Sequence, residues 1–96
     1  KYADWCEPVH WMMTITLDEY YNRDEFLEYM KNNGIDCRQM INPVHHAEHF
    51  KSQFSDTEYQ NALNISKQSA HLPSGIRLTE DHIQQITKTV KTYFNK

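Results

Sequence analysis

The densest group of chemistry-bearing side chains lies between Arg38 and His49, reading RQMINPVHHAEH. An arginine leaving a strand, followed by a proline-fixed turn and a histidine, can present a bidentate guanidinium fork and an imidazole donor at one sheet edge. A phosphate suits such a pair. Arg38 paired with a surface carboxylate, and His45 capping or packing, accounts equally for these residues and is the commoner use of them; spacing alone does not choose. His45 and His49 are four apart, so on a helix they would share a face and could hold a divalent ion, with His46 and Glu48 nearby. The order is not HExxH, no cysteine is close, and a third ligand would have to come from His10, His71 or His82. A solvated histidine-rich turn, without metal, is the expectation.

Little else in the chain has the makings of a catalyst. Cys6 and Cys37 form no CxxC and lack a histidine and asparagine constellation, so a thiol nucleophile is unsupported and both read as free thiols in a reducing, cytoplasmic compartment. There is no serine in a nucleophile elbow and no glycine-rich phosphate loop. With 10 basic and 13 acidic residues, a formal charge of −3 and no basic block, a nucleic-acid surface is disfavoured. No apolar run approaches the ~20 residues that span a bilayer, so no membrane partner is expected.

The elements that must position the Arg38–His49 group follow from periodicity. Val9, Trp11, Met13, Ile15 and Leu17 alternate with polar residues and predict a strand with one buried face. Asn22 as N-cap, Glu25 three residues on, and Phe26, Leu27 and Met30 at helical spacing predict a helix ending at Gly34. The stretch from Ile35 to Ile41 reads as a second strand, closed by Pro43. Residues 44–54 fit either a short helix or a loop. Ser55 or Asp56 is expected to cap a helix running to about residue 69, followed by a short strand over His71–Ser74. Thr79 is expected to cap a last helix with Ile83, Ile86, Val90 and Phe94 on one stripe. Trp11, Met12, Met13, Phe26, Tyr29 and Met30 are expected in the packing, and Tyr20 and Tyr21 over the edge of the core. The order gives one domain of 96 residues, a small α/β (α+β) two-layer sandwich with a short sheet covered by helices on at least one face.

Taken in order, HWMMTITL, NRDEFLEYMKNNGIDCRQMINPVHH and SAHLPSGIRLTEDHIQQI resemble the C-terminal small domain of the DegT/DnrJ/EryC1/StrS family of sugar aminotransferases, from about residue 9 onward. The resemblance is carried by Trp11, Arg23-Asp24, Gly34-Ile35 and Arg38, then Pro43-Val44-His45, Leu72-Pro73-Ser74 and Leu78-Thr79, and the Trp-Met strand is most similar to the perosamine-synthase-like branch. It implies fold-type-I enzymes that use pyridoxal phosphate to move an amino group, usually from glutamate, to a keto group of a nucleotide-linked deoxysugar in amino-sugar and polysaccharide biosynthesis. Such enzymes work as homodimers whose active site lies between large and small domains. By this resemblance Arg38, Asn42 and His45 contact the nucleotide sugar. Gln39 stands where relatives often have proline, and Asn42 where an aromatic is common. The cofactor lysine and its acidic partner would lie in the large domain, so this chain by itself is expected to bind no pyridoxal phosphate and to be inactive. The competing expectation is a freestanding, non-catalytic module that binds a nucleotide or acidic partner through the edge from Arg38 to His45.

Overall fold

Alternating side chains do form the first strand, but a shorter one than the pattern predicts. The computed structural model describes residues 2–95 and places β1 at Met13–Thr16, α1 at Arg23–Asn32, β2 at Arg38–Gln39, a 3-10 turn at Val44–His46, α2 at Gln60–Gln68, β3 at Ser69–Leu72 and α3 at Glu80–Phe94. The sheet is antiparallel, in the order β1-β3-β2. β3 is therefore its centre, two residues earlier than the sequence predicts. Met13 pairs with Leu72 at this end of the ladder, just short of Pro73. The pairing stops there, and Val9 at 92%, Trp11 at 75% and even the paired Met13 at 54% exposure form no buried face.

The two faces of the sheet differ in chemistry because directly paired residues share a face. Ile15, Ala70 and Leu72 lie toward the core, which is built on Leu17, Phe26, Met30 and Ile35. α3 covers this layer with Ile86, Val90, Tyr93 and Phe94; Phe26 meets Tyr93 edge-on at 5.2 Å and stacks on Phe94 at 5.8 Å. Ile83, expected on the same stripe, is more than half exposed. Of the tyrosine pair, Tyr21 packs edge-on against Phe94 at 4.8 Å, whereas Tyr20 is exposed. The opposite face carries Thr14 bonded to His71 at 2.8 Å and Thr16 to Ser69 at 2.9 Å.

Local signals set the helix ends. Asn22 Oδ1 accepts from the N–H groups of Asp24 and Glu25, and at the other end Gly34 N–H reaches Lys31 O while Ile35 N–H reaches Met30 O, with Gly34 at φ 77°. Thr79 caps α3 in a reciprocal box with His82. Arg23 ties the layers together: its Nη1 donates to Ser66 O at 3.0 Å, a carbonyl in the last turn of α2 that the helix itself leaves unpaired. α2 has no side-chain cap at its N-terminus, and starts after the expected Ser55 or Asp56. Ser55 instead bonds Glu58, and Asp56 bonds two histidines.

Candidate functional site

Pro43 holds an extended backbone, and the next three residues close a 3-10 turn in which His46 N–H reaches Pro43 O and Ala47 N–H reaches Val44 O. Residues 44–54 thus resolve into this turn and further tight turns, with no α-helix. The turn sends two neighbouring imidazoles toward one carboxylate. His45 is 7% exposed and its ring lies against Tyr59 at 5.1 Å, while His46 meets it edge-on at 4.6 Å. His45 Nε2 and His46 Nε2 lie 2.8 and 2.5 Å from the same oxygen, Asp56 Oδ1. An ionised carboxylate only accepts, so both rings carry their proton on Nε2. Hydrogen bonds from His46 first and His45 second hold the Asp56 carboxyl below its ordinary value.

Two cavities share His45 and Phe54 as a common wall. One, of about 530 Å³, is polar and is lined further by Asn42, His46, Lys51 and Asp56. The other, of about 320 Å³, is apolar and bounded by Val44, Phe50, Tyr59 and Ala62. Together they offer a charged end and an aromatic end, an arrangement that fits a ligand with an ionic group beside a planar or apolar one.

Of the three residues the resemblance nominates, the fold brings Asn42 and His45 to one cavity and leaves Arg38 outside it. Arg38 is exposed and its fork is held by Asp36, with Nε and Nη2 at 3.2 and 3.0 Å from Oδ2. Its partner across the sheet is His71, whose Nδ1 bonds Thr14 and whose buried Nε2 has no hydrogen-bond partner among the described residues. The pairing of His45 with His49 does not form: His49 is exposed, and His46 and Asp56 take its place. Asp56 went unrecognised because it sits 11 residues beyond His45 in a segment whose polar pattern reads as a helix cap. His71 Nε2 was equally hidden, since its isolation depends on strand register.

Pyridoxal phosphate needs a lysine held against its ring and a carboxylate at its pyridinium nitrogen. Every described lysine and every described carboxylate is exposed. Among the described residues no lysine and carboxylate pair encloses a space for that ring.

The fold and site define a class first: a helix-covered antiparallel sandwich with a histidine-lined cavity at one side. Residues 3–91 match the model of the DegT/DnrJ/EryC1/StrS aminotransferase family, and the chain belongs to that family. It is similar to GDP-perosamine synthase of Vibrio cholerae, 27% identical over 88 residues that make up 90% of this chain and 24% of that protein. Its fold matches the crystal structure of the sugar aminotransferase CalS13 from Micromonospora echinospora with a TM-score of 0.76 at 22% identity, covering 96% of this chain and 24% of that one. The chain therefore spans about a quarter of the length of these relatives.

Proposed function

We propose that this chain is the small domain of a cytoplasmic, pyridoxal-phosphate-dependent sugar aminotransferase, and that it forms part of the wall around a nucleotide-linked keto sugar. The family match over residues 3–91, in a chain about a quarter as long as its relatives, carries this reading. Its surface is in keeping with it. A freestanding monomer of 11.5 kDa exposes roughly 5,800 Å², whereas this chain exposes 8018 Å². Its radius of gyration, 15.5 Å, likewise exceeds the ~12.5 Å of a compact chain of this length. The excess includes exposed apolar side chains, among them Met13 and Ile83 along one groove, and Trp5, Val9 and Trp11, as suits a surface covered by a large domain and a homodimer partner.

On this reading the amino group comes from glutamate, and pyridoxal phosphate, bound outside this chain, supplies the electron sink for its transfer. The contribution of the chain is binding and orientation. Arg38 exchanges Asp36 for a diphosphate oxygen pair, a bidentate partner of higher charge, while Asn42 and His45 fix the sugar side. Residues with these roles bind but do not turn over, so the isolated chain is inactive.

Calorimetric titration of the chain with nucleoside diphosphates and nucleotide sugars tests this. Sub-millimolar binding that Arg38→Ala weakens about tenfold, one charge-assisted contact, is expected. Binding indifferent to Arg38, Asn42 and His45 overturns the residue roles, and a colourless native gene product of 11.5 kDa overturns the parent enzyme.

A further inference from the structure

We propose that His45, His46 and Asp56 form a binding site for a divalent transition-metal ion of the zinc type. Two imidazole nitrogens and a carboxylate oxygen are a ligand set for zinc, cobalt or nickel, and not for magnesium or calcium, which take shells of oxygen. Here the three ligand atoms lie within 4.8 Å of one another, at the wall of the polar cavity. A tetrahedral ion with arms of about 2.0–2.1 Å holds its ligand atoms about 3.3 Å apart. The present separations of 2.8 and 2.5 Å therefore need to widen by less than about 1 Å.

The side chains are arranged to allow that. His45 is buried against Tyr59 and fixed, while His46 and Asp56 are the more exposed members and free to part. Each ring binds through Nε2 with its proton on Nδ1, and Asp56 supplies the one negative charge. Lys51 is the other charged residue on the cavity wall, and its ammonium is offset by Glu48 at 2.9 Å. The protein supplies three ligands, and the fourth position opens to the cavity, where water or an anionic ligand completes the shell.

Cobalt titrated into the chain near neutral pH reads the site directly through the visible bands of a four-coordinate ion. The expected result is one ion per chain with an affinity tighter than about 10 µM, displaced by zinc. Loss of a mere outer-shell partner costs about 10–100-fold, so His46→Ala and Asp56→Asn should each weaken binding at least about tenfold. Asp56→Glu, which keeps a carboxylate, should retain it, separating loss of a ligand from loss of fold. His49→Ala and Arg38→Ala should leave the cobalt spectrum unchanged, so this site and the nucleotide contact fail separately. Parental affinity in His46→Ala and Asp56→Asn, or no saturable 1:1 binding in the parent, overturns the proposal.

Discussion

Cys6 and Cys37 are the same residue type with different chemistry. Cys6 is exposed, whereas Cys37 is half-buried against the core, and burial first and the Asp36 charge second push its thiol from 9.0 up to about 11. Only the thiolate is nucleophilic, so iodoacetamide should modify Cys6 at neutral pH and leave Cys37 intact, as peptide mapping would show. Equal labelling would mean that Cys37 is not packed as described. The same shift has a sign in stability. Because the folded-state value is the higher one, the contribution of the neutral thiol is complete below about pH 9 and is lost as pH rises through about 11. Urea midpoints should fall across that interval, and Cys37→Ala should flatten the fall.

At the scale of elements, stability rests on ends as much as on faces. The Gly34 turn releases the chain from α1 into Ile35, which is buried in the core. A Cβ added at Gly34 meets nothing within 4 Å, so the penalty for Gly34→Ala is the backbone's alone. It should be about 1–2 kcal/mol, the cost of left-handed geometry for an L-residue, measured by urea denaturation; no loss would mean that the turn relaxes. The Arg23-Asp24 pair, one of the features that carry the family resemblance, acts here as a latch. Asp24 braces the guanidinium at 2.6 Å, and the guanidinium serves the end of α2.

For the whole molecule, the balance of surface to core decides the behaviour. Among the described residues the buried apolar set is six, Leu17, Phe26, Met30, Ile35, Leu63 and Ala70, while Trp5, Val9, Trp11, Ile41 and Ile76 face outward. Apolar surface of this extent favours association. Sedimentation of the isolated chain should show a mean mass that rises with concentration, and a monomer unchanged across the range would count against a surface made for covering. No helix among the described residues is long and apolar enough to cross a membrane.

What the sequence by itself determined was local. Asn22, Gly34 and Thr79 mark helix ends through hydrogen bonds and backbone preferences that span at most five residues, and the 3.6-residue period marks the helical faces. The order of elements, the α+β class and the family resemblance followed from these. The tertiary structure decided whatever needed residues far apart to meet. Val9 and Trp11 stand exposed beyond Met13, where the ladder ends at Leu72, some sixty residues along the chain. Arg38 stands opposite His71 only because β2 pairs with β3. Asp56 joins His45 and His46 because the turns between residues 47 and 56 fold back on the 3-10 turn. Such meetings depend on loop closure and strand register, which leave no periodic trace along a chain.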